Sequence, residues 1–486
     1  MNRTLLILFL ALSLSVKAQN TFTIEDVIAR SQAQSVYAKY VETNREVSYW
    51  NYRTFRSNYN PQIRLSSSTN AGALYNNSYS PIRQPDGSIQ YLQVNQLNPG
   101  INVGLEQPIS WTGGTISLNS TYSYFRDIKE SYQQWNGQVF SVRLSQPIFA
   151  FNRWKWDKRI EPIKYEESRR EYAEQMQGVA TQAVDQFFEV LKAQVNLEIA
   201  QYNLANNDTI YKIENGRYNI GTTSQDKLLQ VELQLLRSRQ DVAQAKLDLQ
   251  GSSLRLRSYI GLQNNEAFQL VMPQETPDVI VSEEQALQHA RETRADYIAF
   301  QRRKNEANAD VARARGSRYS VSLDGGFGLN SVAGQFNDLY NEQARQQYVA
   351  FTFSIPVVDW GRRKATMGTA DAQKRLTDFD VERQQITFDQ EVVTQVRLFE
   401  TLKLKIEITK KADQVAFERY NVSQNRYLIG KIDITNLSIA LNEKDDARRS
   451  YVDALKSFWM EYFRLRQLTL YDYVEQKYLY NPLAEE

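Results

Sequence analysis

Cysteine is absent from the 486 residues, and histidine occurs once, as His289. Disulfides, thiol nucleophiles and thiolate metal sites are therefore excluded, and most histidine-based metal and triad chemistry goes with them. An excess of one charge is also missing: 58 Lys and Arg against 56 Asp and Glu leave +2, so nothing points to nucleic acid as a partner. Beyond the N-terminal segment no window of 18 apolar residues occurs, so the mature chain can enter a membrane only as strands. The phosphate loop G-x-x-x-x-G-K-S/T is lacking too, so no signature for binding a nucleoside triphosphate is present. Scattered carboxylates are the only catalysis-like groupings. The expectation is a protein that is not an enzyme and carries no cofactor or metal.

What is present is an excess of rings, 29 Tyr, 21 Phe and 7 Trp, in a chain whose mean hydropathy is −0.55. The first residues, MNRTLLILFLALSLSVKA, combine Arg3, an apolar run from Leu5 to Leu14 and a small-residue site ending at Ala18. This reads as a secretory signal peptide over residues 1–18, too short in its apolar part to span a bilayer.

The chain repeats itself. RYNIG at 217–221 recurs as RYLIG at 426–430, and QPIFAFNRWK from Gln146 recurs as IPVVDWGRRK from Ile355, with Pro147 and Pro356 aligned; both pairs lie 209 positions apart. Upstream, TIEDVIARSQAQ from Thr23 matches SEEQALQHARET from Ser282 at an offset of 259, which places about fifty extra residues in the first copy before Pro147. The organisation is a first repeat at 19–262, a linker at 263–281, a second repeat at 282–473 and a tail at 474–486.

Helical stretches fall at about 23–58, 162–214 and 224–260, then 282–316, 364–424 and 433–468. Such lengths far exceed the usual helix and suggest coiled coil. In the longest, Ala372, Leu376, Phe379, Ile386, Val393 and Val396 keep one narrow apolar seam in register. At 1.5 Å per residue each middle helix is about 80 to 90 Å long and the flanking pair about 50 to 55 Å each, giving rods that must bury their seams against further rods. Thr23 and Ser282 suit N-caps, with Glu25 and Glu284 in the first turns.

Between the first and second helices of each repeat the period changes to two. Val321, Leu323, Phe327 and Leu329 alternate with polar residues, as do Val349, Phe351, Phe353 and Ile355, and in the first repeat QIRLSSS, INVGLEQPI, TISLNSTYSY and QVFSVRLSQPI do the same. Ten-residue segments of this kind suit tilted membrane strands, although a soluble sandwich alternates identically. Four or six strands are too few to close a membrane barrel alone, so several chains must share one. Trp154, Trp156 and Trp360, with Gly361 and basic neighbours at the strand-to-helix junctions, suit an interfacial belt.

Duplicated halves, QPIF and IPVVDWGRR at strand ends, and RYNIGTTSQDKLL and RYLIGKIDITNL at helix breaks together resemble the TolC-like outer-membrane efflux protein family over roughly residues 20–473. The resemblance implies a mainly α fold with a membrane β-barrel: long coiled-coil helices forming an α-barrel, and strands contributed to a barrel shared by a homotrimer in the outer membrane of a Gram-negative bacterium. Four strands per chain would make twelve. The extra fifty residues then add either a hairpin outside the membrane, the favoured expectation, or more wall. The helix breaks become a periplasmic tip that docks an adaptor (membrane fusion) protein or an inner-membrane transporter. Its residues here are Arg217, Tyr218, Gly221, Thr222 and Ser224, with Arg426, Tyr427, Gly430 and Asp433. Many members carry Asp six residues after each tip glycine; Lys227 and Asn436 stand there instead, which argues against a cation-binding ring. Gly221 and Gly430 suit left-handed helix ends, and Ser224 and Asp433 suit N-caps.

The function these features imply is the passive exit duct of a tripartite efflux or secretion system. A stand-alone porin and a non-conducting coiled-coil scaffold are the alternatives, and the sequence does not name the cargo.

Overall fold

The computed structural model describes residues 20–67, 74–129, 131–262 and 268–480; the expected signal peptide lies outside them. In chain order the first repeat comprises β1 (Asn20–Phe22), α1 (Ile24–Gln34), α2 (Val36–Ser57), β2 (Gln62–Ser67), β3 (Leu74–Arg83), β4 (Ile89–Leu97), β5 (Gly100–Ile109), β6 (Gly114–Asp127), β7 (Tyr132–Ile148), α3 (Arg153–Asn219) and α4 (Gln225–Tyr259). After β8 (Phe268–Leu270), the second repeat comprises α5 (Glu283–Thr293), α6 (Ala295–Gly316), β9 (Ser320–Ala333), β10 (Ala344–Ser354), α7 (Arg362–Leu428) and α8 (Ile434–Thr469), followed by β11 (Tyr471–Asp472) and β12 (Lys477–Tyr478). Helices α1 and α2 match α5 and α6 at the 259-residue offset, while α3 matches α7 at 209.

The first helix of each repeat, expected to be continuous, is two helices. The chain turns extended at Ser35 (ψ 147°) and again at Arg294 (ψ 143°). Ser35 Oγ accepts the Ala38 N–H at 2.9 Å, and the Ala295 N–H donates to Glu174 at 2.7 Å, so each new helix is capped by a side chain. Burial drives the Glu174 carboxyl up to about 7, against the pull of Arg294 at 3.1 Å. In contrast α3 begins earlier than expected and carries Pro162 inside, at the expense of a ladder bond. Thr23 caps α1 in a reciprocal box with Asp26, and Ser282 accepts from the Gln285 N–H.

The described residues divide into two compact units, one from 20–45, 169–297 and 386–480, the other from 46–168 and 298–385. The first is helical. Its core gathers Phe187 and Phe188 of α3, Phe399 of α7 and Phe458, Trp459, Tyr462 and Phe463 of α8 around α1 and α5, with the parallel pair β1 and β8 at the margin. Residues 471–480 pack on the helices: β11 and β12 pair, His289 stacks on Tyr471 at 4.0 Å, and Tyr480 is buried beneath Arg169 and Arg170.

The seam expected in α7 is largely wrong for the single chain. Leu376, Phe379 and Ile386 are more than half exposed, and only Val396 of that set is buried; the covered stripe is Val381, Phe388, Val392, Val396, Phe399, Leu402 and Ile406. Leu229, Leu233 and Leu236 of α4 are likewise uncovered. Amphipathic helices with two apolar stripes, one satisfied and one bare, call for another surface.

The second unit holds an antiparallel sheet whose through-order is β2-β5-β6-β7-β9-β10. By the repeat offsets β2 corresponds to β9 and β7 to β10. Strands β9 and β10 pair directly, whereas β5 and β6 stand between β2 and β7. Of the inserted residues, β5 and β6 widen the sheet, since β5 pairs β6 over ten positions and β2 over six. Only β3 and β4 form an outlying hairpin, joined to β6 through Gln96–Asp127 and Leu97–Arg126.

Candidate membrane wall and helix-break tip

Strand registers assign each side chain of the sheet to a face. Ile63 and Leu65, Ile101 and Val103, Ile116 and Leu118, Val142 and Leu144, Val321 and Leu323, and Phe351 and Phe353 all lie on one side, strand after strand. Nine of these twelve are exposed: Leu65 at 74% and Phe353 at 63% show how bare the face is. The other side is polar. Arg64, Asn102, Asn119, Arg143, Asp324 and Tyr348 line a hollow of about 500 Å³ there. Tyr348 lies over Gly326, where a Cβ would fall 2.4 Å from the ring, so glycine makes room for an aromatic on the wet face.

Rings gather at both ends of the sheet. At the helix-joined end, Trp111 in the β5–β6 turn is 82% exposed, Phe149 after β7 80% and Trp360 after β10 95%. Of the expected belt, Trp154 instead packs edge-on to Tyr59, whose hydroxyl donates to its carbonyl at 2.7 Å, and Trp156 carries Arg159 over its ring at 5.3 Å. Pro147 is the penultimate residue of the β7 ladder and Pro356 follows β10, both half-buried, while Gly361 takes φ 85° beside Asp359. Trp111 and Phe149 were missed in the sequence because each stands without basic neighbours. At the far end Tyr122, Tyr124, Trp135, Phe336 and Tyr340 form a second cluster, tied by a 2.8 Å bond between the Tyr122 and Tyr340 hydroxyls. Along β6 about ten residues separate the two ends, roughly 25 Å once a barrel tilt is allowed, which is the height of an outer-membrane apolar band.

Both sheet edges are open. Strand β2 pairs only with β5 and β10 only with β9 among the described residues, and every residue of β10 is exposed. With six alternating strands, β2 and β10 run in opposite directions. Such an edge in lipid would leave N–H and C=O groups unsatisfied.

In the helical unit both long helices end alike. The Thr222 N–H reaches Arg217 O at 2.8 Å and Gly221 N–H reaches Tyr218 O at 2.9 Å; Lys431 and Gly430 repeat this with Arg426 and Tyr427. Gly221 and Gly430 take φ 72° and 75°, the left-handed residue of a Schellman end. The next helix is capped in one case only: the Asp433 carboxylate accepts the Asn436 N–H at 2.9 Å, while Ser224 holds the cap position without a side-chain bond.

The flanking side chains divide. Arg217 bridges Glu214 at 2.6 Å and donates to Leu428 O at 2.9 Å, and the Tyr427 hydroxyl donates to Glu214 at 2.6 Å. Burial would raise the Glu214 carboxyl, but Tyr427 and Arg217 outweigh it and hold the group below its ordinary value. Tyr427 is pushed up, first by burial and then by that carboxylate. Tyr218, Thr222, Ser224 and Arg426 face outward instead, with Ile220 and Ile429 bare beside them. Glu214, which organises the joint, carried no signal in the sequence beyond being one more carboxylate on a wet helix.

Comparison with known proteins gives the same picture. Residues 39–262 and 284–469 match the family described as outer membrane efflux protein. A segment of 84 residues is 32% identical to outer membrane protein OprJ of Pseudomonas aeruginosa, spanning 17% of this chain and 17% of that protein. The fold is similar to the CmeC outer membrane channel of Campylobacter jejuni (TM-score 0.64, 16% identity, 92% of this chain and 85% of that one). It is equally similar to the outer membrane protein VceC of Vibrio cholerae (0.65, 13%, 92% and 95%).

Proposed function

Because the chain belongs to the outer membrane efflux protein family, we propose that it is the passive exit duct of a tripartite export system. Three copies close one wall across the outer membrane, their helices enclose the duct on the periplasmic side, and the helix-break tip meets an adaptor protein and through it an inner-membrane transporter. The observation that carries this reading is the sheet: lipid-compatible on one face, polar on the other, ringed by aromatics at both ends, and open at two oppositely directed edges. Each edge fits the opposite edge of another copy, a head-to-tail contact that closes into a ring. A polar solute crossing a water-filled lumen avoids the desolvation that lipid would impose. No group in the chain supplies energy, so direction comes from the partner.

Mass measurement in mild detergent tests the assembly and planar bilayers test the duct. The expected results are a trimer and stable single-channel steps. A monomer without conductance overturns the reading, and adaptor-independent uptake would favour a stand-alone porin.

A further inference from the structure

We propose that the barrel formed by this chain has eighteen strands, six from each of three copies, and that β5 and β6 are membrane wall rather than a surface appendage. This rests on the trimeric duct proposed above and adds its width.

The repeat itself argues the point. In the second copy β9 and β10 are direct neighbours, and the equivalent first-copy strands, β2 and β7, are held apart by β5 and β6 with full ladders on both sides. The two interposed strands continue both faces of the sheet. Ile101, Val103, Ile116 and Leu118 extend the apolar side, and Asn102, Asn119 and Ser117 extend the polar one. Their turn is anchored at the level where the other strands meet helix: Asn152, just before α3, donates to Ser110 O at 3.0 Å, and Gln107 donates to Tyr59 O at 2.9 Å. Trp111 therefore stands in the same row as Phe149 and Trp360. Strand β5, at ten residues, has the length of a tilted membrane strand.

Barrel diameter rises roughly in proportion to strand number, so eighteen strands give about one and a half times the width of twelve, in the range where a lumen stays water-filled.

The absence of cysteine makes the test direct. Leu65→Cys on β2 is combined in turn with Val349→Cys, Phe351→Cys and Phe353→Cys on β10, and oxidised in native outer membranes; Leu118→Cys on β6 is combined with the same three. Covalent dimers and trimers from at least one β2 pair and none from the β6 pairs are expected. Cross-links from β6 instead, or none from β2 in material that runs as a trimer, overturn the eighteen-strand wall while leaving the duct intact. Material that remains monomeric overturns the duct reading beneath it. As a second measure Val103→Cys is expected to react with a lipid-soluble maleimide and not with an impermeant one; the reverse pattern overturns the proposal even where cross-linking is poor.

Discussion

The pattern R-Y-x-I-G ends the long helix of both repeats, with the same Schellman bonds and the same left-handed glycine, yet its side chains are put to opposite uses. In the first copy Arg217 is folded inward and Tyr218 is 40% exposed; in the second Tyr427 is 3% exposed and Arg426 faces out. The difference traces to one position. Glu214 collects Arg217 and Tyr427 into a single joint within the chain, whereas its counterpart 209 residues on is Ser423, which offers no charge. Backbone geometry was preserved after duplication while the electrostatics diverged, so the tip has one tied joint and one loose one.

The comparison breaks most severely at Glu214. Glu214→Ala takes the acceptor from the buried Tyr427 hydroxyl and the charge partner from Arg217, which keeps only its carbonyl contact at Leu428, and should cost about 3 kcal/mol locally. Hydrogen exchange across 214–222 and 425–431 should accelerate about a hundredfold, and a change below threefold would show that the carboxylate is incidental. Next, Gly221→Ala and Gly430→Ala should each cost about 1–2 kcal/mol for the left-handed conformation. With nothing within 4 Å of either added Cβ, the two losses in thermal stability should be equal, and a marked inequality would mean the two backbones are not equivalent. Smaller is the cap contrast: Asp433→Ala should lose about 1 kcal/mol and Ser224→Ala almost nothing, read as fraying at the starts of α8 and α4. The last effect is acid sensitivity. Glu214 titrates lower folded than unfolded, so its stabilisation is complete above the unfolded value and is lost as pH falls through the folded one. Exchange at the tied joint should rise on acidification, and Glu214→Gln should abolish that dependence.

Much of this architecture was legible because periodicity and duplication act over long spans. The 209-residue offset, the alternation of Val349 to Phe353 and the glycines at 221 and 430 each reflect a strong local constraint. The helix interruptions at Ser35 and Arg294 were not legible, since neither carries Gly or Pro and the second is stabilised by Glu174, distant in sequence. The α7 seam misled for a related reason: two apolar stripes share one helix, and only contact reveals that Val392 and Phe399, rather than Leu376 and Phe379, are covered within the chain. Composition could not say where β5 would pair either, because a strand with one greasy face looks the same in a wall or beside it.

The β3–β4 hairpin is held by two ladder positions and turns at Asp86 and Gly87, where Gly87 takes φ 88° with only the tip of Arg83 nearby. In the proposed assembly it projects from the cell, away from lipid and lumen alike. A change at that turn leaves the ladders of the six wall strands untouched, which makes it the natural graft point for an epitope to count assembled ducts on living cells.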